Sequence, residues 1–155
     1  MTKGIDISKH NGSIDWQKVR NSGSVDFAVL RAGYGKLISQ KDQQFERNYA
    51  ECKKYGIPCG TYWYSYANSV SEIQTEARVF LEAIKGKQFE YPVYLDFEEE
   101  SQFKLGKRHV QQWQRLFLTS SKKPDIMQDY TARRIIYRII LTIPSETDTR
   151  SGSLM

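Results

Sequence analysis

Phe27-Ala28-Val29-Leu30-Arg31-Ala32-Gly33-Tyr34-Gly35 is the stretch that decides the fold. Four apolar residues in unbroken succession, closed by a glycine-bearing turn, have the pattern of a strand buried on both faces, as strands are in parallel sheets. Parallel neighbours cannot be joined by tight hairpins, so helices are expected on either side of the run.

They are found in both directions. Toward the N-terminus, Lys3-Gly4-Ile5-Asp6-Ile7 is a short apolar run closed by Ser8, and Ile14-Asp15-Trp16 opens a short helical stretch through Val19. Toward the C-terminus, helical spacing begins at Asp42 and places Phe45, Tyr49 and Cys52 on one face, with Gly56-Ile57-Pro58 as the stop signal. Gly60 to Tyr66 reads as an aromatic strand. Ser69-x-x-Glu72 predicts a capping box before a helix that buries Ile73, Ala77, Phe80, Leu81 and Ile84 and ends at Gly86. A fourth strand, Pro92 to Phe97, runs into an acidic cluster.

Strand alternating with helix four times predicts an α/β protein with right-handed crossovers. A closed eight-fold barrel typically needs about 200 to 250 residues, so four units are half of one. The expectation is a partial (β/α) barrel of the TIM type over residues 1–106, followed by an atypical tail, 107–155.

Composition narrows the function classes. The 155 residues are 39% hydrophobic, enough for one globular core. No apolar run approaches the roughly 20 residues that span a bilayer, and the first residues lack the apolar segment of a signal peptide. The chain is therefore expected to be cytoplasmic as synthesised, with no membrane partner. Cys52 and Cys59 have no histidine near them at metal-ligand spacing, so ordinary thiols are expected, with no metal and no cofactor. The net charge of +5 resides wholly in the tail, because residues 1–106 hold 14 basic and 14 acidic side chains. A nucleic-acid partner is accordingly not expected.

The chemistry is expected at the carboxyl ends of the strands, where catalytic groups of parallel α/β proteins collect. Asp6 ends the first strand, and Asp96 with Glu98 ends the fourth. Asp-x-Glu on a strand places both carboxylates on one face, close enough for one to raise the other's pKa and keep a proton near neutrality. By itself the cluster reads equally as a solvated acidic turn. Tyr62, Trp63, Tyr64 and Tyr66 lie on the neighbouring strand, and aromatic faces stack on sugar rings, so the combination points to carbohydrate; some of these rings must serve the core instead.

Gly4-Ile5-Asp6-Ile7-Ser8 with Asn11-Gly12 and Ile14-Asp15-Trp16, the 27–35 stretch, Asp42, Phe45, Asn48, the run Gly56 to Tyr66, Glu76-Ala77 and Pro92 to Glu98, spread over about two-thirds of this chain, together resemble the opening half of family 25 glycoside hydrolases. That resemblance implies an irregular β/α barrel and a metal-free lysozyme. Its substrate would be bacterial peptidoglycan, cleaved at the β-1,4 bond between N-acetylmuramic acid and N-acetylglucosamine. It also implies roles: Glu98 as general acid, Asp96 orienting the N-acetyl group or stabilising the oxocarbenium-like transition state, and Asp6 completing the acidic floor. Tyr62, Tyr64, Arg31 and Tyr34 are the implied substrate-binding residues.

Past Gly106 the family pattern stops. Shifting the frame restores it: Met127 followed by Gln128 then forces Ala, Asp129 followed by Tyr130 forces Leu, and a glycine-rich strand reappears. Loss of one base near codon 107 is the expected cause, and the sequence around codons 104 to 110 decides it. In that event the 155-residue chain is expected to be inactive. Two other classes stay open: a non-catalytic remnant or wall-sugar-binding half-barrel, which would not clear a wall suspension, and a basic-tailed interaction protein, whose binding would be salt-sensitive.

Overall fold

The computed structural model describes residues 2–104. The tail, with the boundary at 106 and the frame expected of it, lies outside the described residues. Four parallel strands, β1 (Gly4–Ile7), β2 (Phe27–Tyr34), β3 (Cys59–Tyr64) and β4 (Val93–Asp96), pair in chain order. Between them run α1 (Trp16–Ser22), α2 (Phe45–Lys54) and α3 (Val70–Ala83), and α4 (Glu100–Lys104) follows β4. Short 3-10 turns, Lys9–Asn11 and Ile38–Gln40, follow β1 and β2.

The expected alternation is present, with shorter strands. β3 stops at Tyr64 and β4 at Asp96, so Tyr66 and Glu98 stand in loops. The capping box at Ser69 is half formed. Ser69 caps the amide of Glu72, but the Glu72 carboxylate accepts from the Asn68 amide (2.8 Å) and from Lys36. The lysine draws the carboxylate off the geometry that would reach back to Ser69.

Side-chain parity sorts the sheet. Ile7, Ala28, Leu30, Ala32, Cys59, Trp63, Val93 and Leu95 face the helices and join Trp16, Phe45, Ile73, Ala77 and Phe80 in one core. The Trp63 ring stacks on Phe80 at 5.6 Å, and its indole N–H donates to the Gly35 carbonyl at 2.8 Å. Gly33 makes room for that indole, since a Cβ there would lie 2.4 Å from the ring. Trp16 donates to Asn48 at 3.0 Å, joining α1 to α2 without an unpaired donor. Cys52 and Cys59 are free, buried thiols in hydrogen-bond contact with each other.

Phe27 and Tyr91 belong to the opposite side of the sheet and stack at 4.3 Å. Glycines open space around them. A Cβ on Gly4 would fall 2.2 Å from the Phe27 ring, and one on Gly60 would fall 2.5 Å from the Pro92 carbonyl. The apolar stack therefore plugs the end of this face where the strands begin and leaves its polar residues at the end where the strands finish.

Candidate active site

Asp6, Arg31, Tyr62, Tyr94 and Asp96 have the same parity as Phe27 and follow it up the sheet. The register sets Arg31 opposite Tyr62, Tyr62 opposite Tyr94, and Tyr64 opposite Asp96. Two of the three predicted carboxylates thus meet at the carboxyl ends of β1 and β4. Glu98 joins them from the loop beyond β4. Burial still alternates there, with Asp96 half-buried, Phe97 buried and Glu98 exposed, and the Asp96 carbonyl accepts from the Ser65 amide at 2.9 Å.

Burial, then the charges of Glu98 and Asp6, raise the Asp96 carboxyl from its ordinary 3.8 to about 7. Asp6 is also raised by burial, while the Tyr62 hydroxyl and the Arg31 guanidinium hold it partly down. Burial and the neighbouring Asp6 push the Tyr62 phenol up, and Tyr94 is pushed up to about 12 by burial and both aspartates. The raised proton affinity therefore falls on the enclosed member of the Asp96–Glu98 pair.

The predicted binding residues divide. Tyr62 is only 8% exposed, its ring stacks on Tyr94 at 5.9 Å, and its hydroxyl donates to Asp6. It thus offers a fixed hydroxyl rather than an open ring face. Arg31 donates through Nε (3.0 Å) and Nη2 (2.8 Å) to Asp42, which is enclosed and also accepts from the amides of Lys9 and Gln44. Tyr64 donates to Glu99 at 2.9 Å, and burial with that carboxylate raises its phenol. Tyr34 meets the exposed Tyr66 edge-on at 6.1 Å.

Residues given no role from sequence hold the carboxylate loop, although Glu76 belongs to the resemblance. Glu76 of α3 is fully buried, accepts from the Ser65 hydroxyl (2.5 Å) and the Tyr66 amide (3.0 Å), and is raised by desolvation. Gln102 of α4, also buried, donates to the carbonyls of Ser65 and Ala67 and accepts from the Glu99 amide at 3.2 Å. A cue for Glu76 existed, because it is an acid set between Ile73 and Phe80 on an apolar helix stripe. Gln102 offered none, since the carbonyls to which it donates lie more than thirty residues away.

Tyr62→Phe removes the donor to Asp6, and the Asp6 pKa is expected to rise further above its ordinary value. Carboxyl-carbon NMR titration of the two proteins checks this; an unchanged Asp6 curve would remove Tyr62 from the site's electrostatics.

The model of a family described as glycosyl hydrolases family 25 matches residues 5–143, a span that overlaps the tail read as out of frame. YegX of Escherichia coli K12 is 33% identical over 130 residues, covering 80% of this chain and 46% of its own. The chain thus spans about half the length of this curated relative. Among solved structures, the modular autolysin LytC of Streptococcus pneumoniae, in complex with a synthetic peptidoglycan ligand, is 37% identical with a TM-score of 0.58, covering 63% of this chain and 22% of that one. The bacterial lysozyme of Streptomyces coelicolor is 28% identical with a TM-score of 0.64, covering 78% and 57%.

Proposed function

The chain belongs to glycosyl hydrolases family 25, and from that membership we propose that it is a muramidase-type hydrolase of bacterial peptidoglycan, cleaving the β-1,4 bond between N-acetylmuramic acid and N-acetylglucosamine. The observation that carries the reading is the placement of Asp6, Asp96 and Glu98 at one end of a parallel sheet, where burial and the charges of Glu98 and Asp6 raise the Asp96 carboxyl to about 7. Hydrolysis of a glycosidic bond needs a proton for the leaving oxygen and negative charge beside the developing oxocarbenium ion. Glu98, exposed to incoming substrate, delivers the proton. Asp96, once ionised, faces the sugar ring with Asp6.

The described residues supply one wall of a cleft. An acid–base pair works best where water is excluded and charges couple strongly. We therefore propose that the 155-residue chain does not turn over walls by itself, whereas a chain with its frame restored from codon 107 does. Turbidity loss of suspended bacterial walls tests both statements. Lysis by the chain as it stands would overturn the first, and no lysis by the frame-restored chain would overturn the second.

Glu98→Gln in the lysing form is expected to lower the rate by a factor of about 10² to 10⁴, since the amide keeps the shape and cannot donate the proton. Lysis near the unsubstituted rate would overturn its assignment as the acid.

A further inference from the structure

Beside the carboxylates, the same rim of the sheet carries an arrangement of opposite sign. After β1 the chain enters the Lys9–Asn11 turn, which is pinned at several points. The Ser8 hydroxyl accepts from the His10 amide, Asn11 accepts from the Ser8 amide at 2.8 Å, and the Lys9 amide donates to the enclosed Asp42 at 3.0 Å. The backbone beneath Lys9 and His10 is thus fixed to the carboxylate that also fixes Arg31. Their side chains stand over an open depression of about 330 Å³, walled further by Arg31, Tyr34, Tyr64 and Tyr66. That volume lies at the small end of the roughly 300 to 1,000 Å³ of ligand pockets, so it suits one substituted ring rather than a run of rings.

The charges in this depression are unequal in availability. Arg31 is neutralised by Asp42. Lys9 makes no ion pair among the described residues; its ammonium stands 5.9 Å from the centroid of the Tyr34 ring. The His10 ring, at the surface, has no hydrogen-bond partner among the described residues. Next to these cations runs an arc of rings, Tyr34 edge-on to Tyr66 and Tyr66 tilted against Tyr64 at 5.1 Å, which ends at the Tyr64–Glu99 hydrogen bond in the carboxylate loop. Tyr66 is 46% exposed, a large apolar surface at the edge of an otherwise polar cleft.

A glycan on this face meets Asp6, Asp96 and Glu98, which repel any carboxylate that it carries. Lys9 attracts one, and the ring N–H of His10 beside it can donate to one, within a few residues of that floor. We propose that Lys9 and His10, together with the Tyr34–Tyr66–Tyr64 arc, form a subsite for a sugar ring bearing a carboxylate substituent, the ring against Tyr66 and the carboxylate on the Lys9 ammonium and the His10 ring. The inference rests on the muramidase reading and deepens it. In a strand that alternates N-acetylmuramic acid with N-acetylglucosamine, the muramic unit bears the acidic substituent, as a free lactyl group or as a lactyl-linked peptide with carboxylates of its own. Capturing that unit in one pocket sets the register of the strand, and the register decides which of the two alternating β-1,4 bonds lies at Glu98.

Binding of the 155-residue chain, followed by intrinsic fluorescence, tests this without requiring turnover. The probes are three tetrasaccharides: chitotetraose, which has no carboxylate, the alternating muramic tetrasaccharide with free lactyl groups, and the same tetrasaccharide carrying stem peptides. The muramic probes are expected to bind about tenfold more tightly than chitotetraose, with the advantage shrinking as salt rises and screens a partly exposed pair. Lys9→Gln and His10→Ala are each expected to cut the ratio of affinities threefold or more, circular dichroism showing that both variants are folded. A preference shared by both muramic probes assigns the lactyl carboxylate, and one confined to the peptide-bearing probe assigns the stem.

Equal binding of all three probes, or a preference that both variants retain, would overturn the subsite and leave the muramidase reading in place. Binding of none would overturn the subsite, while wall lysis by the lysing form tests the muramidase reading separately.

Discussion

Asp96→Asn is expected to abolish wall lysis in the lysing form while making the fold more stable at neutral pH. The loss follows from removing both the proton that Asp96 holds and the negative charge that it later presents; groups supplying such electrostatic stabilisation are worth on the order of a hundredfold or more. The gain follows from linkage. The folded pKa, about 7, lies above the ordinary 3.8. Between those values the folded chain binds a proton that the unfolded chain has released. Stability contributed by this group is therefore present below about pH 4, declines as pH rises through the window, and is absent above about pH 7. Asn carries no such dependence. Urea midpoints at pH 4.5, 6 and 8 should show the variant's advantage growing with pH. Lysis near the unsubstituted rate, or a lower midpoint than the parent at pH 8, would refute the role.

Asp42→Ala is expected to be among the most destabilising single changes in the described residues. Asp42 is enclosed, and it accepts two hydrogen bonds from Arg31, itself mostly buried, and one each from the Lys9 and Gln44 amides. Removing one partner of a buried pair strands the other charge, at a cost of about 3 to 5 kcal/mol, against a total stability of about 5 to 15 kcal/mol for a typical domain. Removing both should hurt far less. Arg31→Met with Asp42→Leu leaves no stranded charge, and swaps of this kind are often neutral. The double variant should therefore unfold at higher urea than Asp42→Ala. A midpoint for Asp42→Ala within about 1 kcal/mol of the parent would show the pair to be dispensable.

Much of this was legible in order along the chain. The 27–35 run, the helical spacing of Phe45, Tyr49 and Cys52, and the position of Asp96 after an apolar strand are local patterns, and each appears within about three residues of its expected boundaries. The supports of the site were not legible. Arg31 and Asp42 lie eleven residues apart across a turn, and Gln102 bonds to a loop thirty-five to thirty-seven residues earlier. Neither spacing belongs to a helix or a strand period, so no repeat in the sequence marks the pair.

Sequence alone determined the parallel sheet and put Asp6 and Asp96 at strand ends, because strand parity and helix period follow from backbone geometry and act over a few residues. Tertiary structure alone decided that Tyr62 is packed against Tyr94 while Tyr66 is open, that Arg31 is spent on Asp42 while Lys9 is not, and that burial with neighbouring acids raises the Asp96 carboxyl. Burial and Coulomb interactions sum over neighbours in space, and those neighbours come from strands and loops that meet only when the four βα units have packed together.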